Sequence, residues 1–140
     1  MDYNRFLWEC KIMGDRHRSN IPTNSPVITE IVGMSTAETR HCMNNLNRYG
    51  KNYLEIGSHQ GSTFVSSLFG HYNKTGWSID NYAEFCEEVF NPGQDGTHKQ
   101  TLLNNIDQHL MCQTDYFDED SFKFDISQIT EPVDVYMYDG

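Results

Sequence analysis

Four short apolar runs, spaced by helix-length stretches, restrict the architectures open to this chain. They are Asn52–Ile56, Thr75–Ile79, Leu110–Thr114 and Val133–Tyr138, and each ends on an acid or a glycine. Runs of this length, bounded by turn residues, read as buried strands. Between them lie helical signals. Phe64, Val65, Leu68 and Phe69 share one face of a helix over Ser62–Gly70, and Leu102, Leu103, Ile106 and Leu110 repeat at helical spacing over His98–Leu110. A further helix is expected around Ala83–Phe90, closed by the Pro92–Gly96 break, and a short one near Ile126–Ile129. Strands alternating with helices predict a parallel sheet covered by helices on both faces. The strand order that suits the connections is 3-2-1-4.

Ahead of the first strand, Ser35-Thr36-Ala37-Glu38 reads as a capping box, with Ser35 accepting from the Glu38 amide. The helix behind it runs to Tyr49-Gly50, with Ala37, His41 or Cys42, and Leu46 on its apolar side. Residues 1–34 are broken by Gly14, Pro22, Pro26 and Gly33 and are expected to form an N-terminal arm with one or two helical turns. The remainder, 35–140, is the sheet-bearing part.

At 140 residues the chain accommodates one domain, and 37% hydrophobic content is below the ~45–50% of an average globular chain, partly offset by 13% aromatics. No stretch approaches the ~18 apolar residues of a membrane span, and the N-terminus lacks an apolar signal core. A cytoplasmic location is expected. Residues 1–83 hold seven acids against eight Lys and Arg, whereas 84–140 hold 13 acids against Lys99 and Lys123. Such an acidic half repels phosphate backbones, so nucleic acid is a poor partner. Cys10, Cys42, Cys86 and Cys112 have no metal-ligand spacing and read as reduced, small hydrophobes. Asp118-Glu119-Asp120 reads as a solvated acidic loop.

In an open α/β sheet, ligands bind outside the carboxyl ends of the strands, at the switch point. Glu55 with Gly57, Asp80, Asp115 and Asp139-Gly140 would converge there. The turn after the first strand, Glu55-Ile56-Gly57-Ser58-His59-Gln60-Gly61-Ser62-Thr63, has GxxxG spacing rather than GxGxxG. That argues against a dinucleotide, and no Lys between 52 and 73 excludes a phosphate-binding P-loop. Glu55 suits a positively charged ligand. S-adenosylmethionine carries an ammonium and a sulfonium, plus a carboxylate for backbone amides near Gly57–Gly61. Asp80, 19 residues past Gly61, is placed to accept ribose hydroxyls, and Asp115 to meet the adenine amino group. His59 and Gln60 are read as facing solvent, and Tyr53 and Trp77 as core aromatics.

LEIGSHQGSTF, WSID, the CQTD step and VDVYMYDG resemble the class I S-adenosylmethionine-dependent methyltransferases. The terminal Asp-Gly resembles the subgroup with a D-G-D-H sequence after strand 4, which includes small-molecule and sugar O-methyltransferases. The resemblance extends over about residues 33–140 and implies a partial Rossmann-like, doubly wound fold of about four strands. It implies that Glu55, Gly57, Ser58, Gly61 and Asp80 hold the methionyl and ribose parts, with Asp115 near adenine. It also implies that Asp139 ligates Mg²⁺ in metal-dependent relatives. The expected activity is methyl transfer to a small-molecule or sugar acceptor, at oxygen.

Relatives continue through further strands, so the chain is expected to be the cofactor-binding half of a longer domain, or to need a partner or a second copy. The alternative function is a non-catalytic S-adenosylmethionine-binding or assembly module retaining half of the fold. An NAD-binding half is the third reading.

Overall fold

The central strand β1, Asn52–Ile56, is flanked on both sides and buried over its first four residues. In the computed structural model, which describes residues 14–81 and 97–138, it pairs in parallel with β2, Thr75–Ile79, and with β4, Val135–Tyr138. β2 pairs in turn with β3, Gln113–Phe117, giving an all-parallel sheet of order β3-β2-β1-β4. The expected strand order and α/β class are those observed. The helix expected at 83–90, the Pro92–Gly96 break and Asp139-Gly140 lie outside the described residues.

Alternation along β1 sorts the core into two layers. Tyr53, with Val135 beside it on β4, meets Met43, Phe64, Leu68 and Leu102 from three helices. These are α2 (Ala37–Leu46), α3 (Ser62–Leu68) and α4 (Thr97–His109), counted after a single-turn α1 at Pro26–Thr29. Leu54, Trp77 and Ile79 face the other way and pack with Phe117, Phe124 and Ile129. Tyr53 and Trp77 are thus core residues, as expected. Among the described residues this second face is covered by the 118–131 segment, whose only regular element is the 3-10 turn Ile126–Gln128, so helical cover on both faces is seen only in part.

β3 begins three residues later than its composition suggested. The Leu110 amide still donates to Ile106 O at 2.9 Å, so Leu110 ends the helical ladder and packs on the core. Pairing of Gln113 with Thr75 through Phe117 with Ile79 then fixes the strand. The start of α2 also differs. Thr36, not Ser35, is the N-cap and accepts from the Thr39 amide at 3.2 Å. Ser35 is drawn away because its hydroxyl accepts from Arg40 Nε at 3.0 Å and donates to Ser62 Oγ at 2.9 Å.

Helix α2 buries polar side chains where an apolar stripe was expected. Asn44 Nδ2 donates to the carbonyls of Ser66 and Phe69 at 2.7 and 2.9 Å, and Asn47 Nδ2 to Ser67 O at 2.9 Å. These are carbonyls at the end of α3, which a helix terminus leaves without intrahelical donors. Arg40 does the same for the arm. Its guanidinium donates to Val27 O, Ile28 O and Ile31 O at 2.8, 3.3 and 2.9 Å. Ile21, Val27 and Ile31 are thereby held against Val65. Polar groups capping polar groups explain how so modest an apolar content still closes a core.

Arg40→Ala should therefore loosen residues 21–31 from the sheet layer. Leaving several buried carbonyls without donors costs about 2–4 kcal/mol, which lowers the thermal midpoint by roughly 5–15 °C. Arg40→Lys should recover little, because an ammonium does not reproduce the planar fork. An unchanged midpoint in a circular dichroism melt of Arg40→Ala would contradict this role.

Candidate functional site

The β1–α3 turn is built by left-handed backbone at three positions. Gly57 and Gly61 sit at φ 84° and 87°, and His59, which carries a side chain, at φ 47°. Positive φ is ordinary for glycine and uncommon elsewhere, so the two glycines are what allow the chain to fold back directly from β1 into α3. A Cβ on Gly61 would also lie 2.5 Å from Leu102 Cδ1, so α4 seats on the turn itself. The Gly57 amide donates to Ile79 O at 3.0 Å and the Gly61 amide to Ser58 O at 2.7 Å. The His59 amide donates to Asp80 Oδ2 at 2.7 Å, which clamps the turn to the end of β2. These three amides were candidates for a ligand carboxylate and are instead committed inside the protein.

An open crevice lies at the carboxyl ends of β1, β2 and β4, where Ile56, Ile79 and Tyr138 form part of its wall. Gly57, Ser58 and His59 line it from the turn, and Asp80 and Asn81 from the end of β2. Because β4 lies across β1 from β2, this is the switch point of the sheet. Two residues lining this crevice each carry a buried polar atom without a hydrogen-bond partner among the described residues: Ser58 Oγ, in a residue 2% exposed, and His98 Nε2, in a residue 7% exposed. A native interior rarely leaves such atoms unsatisfied, and each one asks for a partner.

The residues singled out in the sequence divide accordingly. Gly57, Ser58 and Asp80 come together on the crevice, and Gly61 shapes the turn beneath it. Glu55 does not join them. It is fully buried and points into the helical layer, where it accepts from Tyr53 Oη and, at 2.7 Å, from Thr63 Oγ1. Alternation puts it on the same face as Tyr53, below the crevice floor, so its charge is not presented to a ligand. Asp115 is likewise misplaced as a strand-end acid. The later start of β3 puts it opposite Trp77 in mid-strand, exposed and away from the crevice, and Phe117 takes the end position.

The acids that do arrive are Glu119 and Asp120 of the loop following β3, read from sequence as merely solvated. Backbone donation from Phe122, then the Lys123 ammonium, holds the Asp120 carboxyl below its usual range. Asp139 lies outside the described residues. Among the described residues, no group of three or more His, Cys, Asp or Glu is arranged to hold a metal ion.

Two histidines escaped the sequence reading. His59, read as a solvent-facing loop residue, lines the crevice, and its Nε2 is hydrogen-bonded to His98 Nδ1. The rings meet edge-on with centroids 4.2 Å apart. Burial lowers the His59 pKa, the neighbouring His98 lowers it further, and Asp80 opposes both. No local signal marks His98, because only the packing of α4 on Gly61 brings it to the turn.

No protein-family model, curated protein or solved structure matches this chain. No helix among the described residues is long and apolar enough to cross a membrane.

His41, His59 and His71 all have pKa values lowered chiefly by burial. In the unfolded chain they return to about 6.5. Below that pH the unfolded state binds more protons than the folded one, so stability is full above about pH 6.5 and is lost as pH falls through the lowered folded values. The urea midpoint should drop between pH 7.5 and 5.5, before carboxylates titrate. A flat profile over that interval would contradict the neutral burial of these rings.

Proposed function

We propose that this crevice binds S-adenosylmethionine and that the chain serves methyl transfer to a small hydroxyl-bearing acceptor. The observation that carries the reading is Asp80: a carboxylate at the end of β2, on the switch-point crevice and clamped through Oδ2 to a glycine turn of GxxxG spacing. A carboxylate there accepts from vicinal ribose hydroxyls, as the spacing to Gly61 suggested.

The unpartnered Ser58 Oγ fits a polar ligand lying along the turn, and Gly57, without a side chain, permits close approach. Gly57, Ser58 and Asp80 thus fit the group, whereas Glu55 and Asp115 take no part in holding it. When bound, S-adenosylmethionine supplies an electrophilic methyl on sulfur. The protein's share is to orient it: Asp80 fixes the sugar, Ser58 of the turn meets the amino-acid end, and Ile56, Ile79 and Met34 give an apolar wall. Glu55 acts from below, bracing Thr63 at the start of α3. The Mg²⁺ expectation rests on Asp139 alone, so no step is assigned to a metal.

The binding-module reading also has an observation behind it. Tyr136 and Tyr138 of β4 are 53% and 50% exposed on the same sheet face as the buried Leu54. Among the described residues β4 pairs only with β1, and such an edge suits assembly with another surface. Cofactor binding without methyl transfer to any alcohol or phenol would favour that module.

Isothermal calorimetry with S-adenosylmethionine tests the main reading. Asp80→Asn keeps an oxygen for the His59 amide but removes the charge. The lost charge-assisted bonds are worth about 1.5–3 kcal/mol, so affinity should fall roughly tenfold to a hundredfold. Equal affinity in the variant would remove Asp80 from the site.

A further inference from the structure

Among the described residues lining the crevice, His98 is the imidazole with an unpartnered ring nitrogen. It stands at the first turn of α4, 7% exposed, with Nδ1 engaged by His59 and Nε2 unpartnered. A bond between two imidazoles uses one proton. If His98 Nδ1 donates to His59 Nε2, then His98 Nε2 carries a lone pair, buried in a residue that lines the crevice. That lone pair lacks a donor among the described residues, and a ligand hydroxyl would supply one.

We propose that His98 is the proton acceptor of this site, with His59 as its positioning residue, and that the acceptor substrate is an alcohol or phenol whose O–H donates to His98 Nε2. The inference rests on the cofactor reading above and extends it to the second substrate.

The step balances as follows. The hydroxyl proton passes to His98 Nε2 as the oxygen forms a bond to the methyl carbon. The carbon–sulfur bond breaks and its electron pair stays on sulfur. The products are a methyl ether, S-adenosylhomocysteine and an imidazolium, which returns its proton to water. His59 Nε2 accepts from His98 Nδ1–H before and after, which fixes both the ring and its tautomer.

Carboxylates and one ammonium stand around the pair. Asp80 lies at the end of β2, and Glu119 and Asp120 on the loop after β3; Lys99, next to His98 on α4, is turned to Asp118 at 2.7 Å. The same acids disfavour an anionic acceptor. A general base must lie within hydrogen-bond reach of the proton it takes; His98 lines the crevice, and its buried Nε2 has no partner among the described residues.

The test is histidine-nitrogen NMR of the full chain at about pH 8, where imidazoles are neutral. The expected result is a single His98 tautomer, Nδ1 protonated and Nε2 bare, both free and with saturating S-adenosylhomocysteine. His59→Asn, a residue that tolerates positive φ but is too short to reach His98, should give a mixture of the two tautomers. An Nε2-protonated His98 in the native chain overturns the proposal, and an unmixed tautomer in His59→Asn overturns the positioning role.

Calorimetry on His98→Gln separates base from cofactor contact. S-adenosylhomocysteine affinity should stay within about twofold, whereas a loss of about tenfold or more would make His98 a cofactor contact and overturn its assignment as base. Failure of the native chain to bind S-adenosylhomocysteine would instead defeat the cofactor reading, whatever the tautomer.

Discussion

Everything that gives this protein a candidate site follows from β1 being the inner strand, hydrogen-bonded to β2 on one side and β4 on the other. A strand covered on both faces and paired on both edges has no freedom of register. Its carboxyl end must therefore emerge at a fixed point, and the Gly57–Gly61 turn begins there. The bond from the His59 amide to Asp80 then ties the turn to the neighbouring strand end. Rigidity at the switch point is inherited from the sheet and does not need a ligand to create it.

The layer behind the sheet solves a second problem. Helix α3 is one short element, Ser62–Leu68, buried along its whole length, so its last carbonyls lie away from water. Asn44 and Asn47 supply the donors, and Arg40 supplies them to the arm. Satisfied backbone carbonyls thus stand beside apolar contact in holding this layer together. Among the described residues Ser58 Oγ and His98 Nε2, in residues that line the crevice, are without partners, as are His41 Nδ1, Asn47 Oδ1 and Ser67 Oγ in the helical layer; those of the crevice residues lie where a ligand would bind. Unmet hydrogen-bonding capacity at a strand-end crevice is the physical content of the functional reading.

The sheet was legible because its signals are local. Asn52–Ile56 and Thr75–Ile79 are short apolar runs closed by a glycine or an acid, and their bounds match the observed strands. β3 was misjudged because Leu110 and Cys112 are as apolar as strand residues. Their contacts with the helical layer, which no window of sequence contains, decide the matter. The same shift displaced Asp115 and brought Glu119 and Asp120 forward. Glu55 was misread for a different reason: its position at a strand end is visible, but the Tyr53 and Thr63 hydroxyls that donate to it and make its burial tolerable are brought together only by the fold. His98 was invisible because its role depends on a contact 39 residues away with His59. Asn44 and Arg40 were missed because the helix-period reading looks for apolar residues, while here polar side chains meet backbone carbonyls.

The central claim is that the ligand occupies the crevice at the ends of β1 and β2 and leaves the polar helical layer undisturbed. Backbone amide shift mapping of the full chain with S-adenosylhomocysteine addresses this directly. The account predicts changes concentrated at residues 57–61 and 79–81, with α2 around Asn44 unmoved. Saturable binding whose shifts fall on α2 or on the exposed face of β4, with the Gly57–Gly61 turn silent, would contradict it.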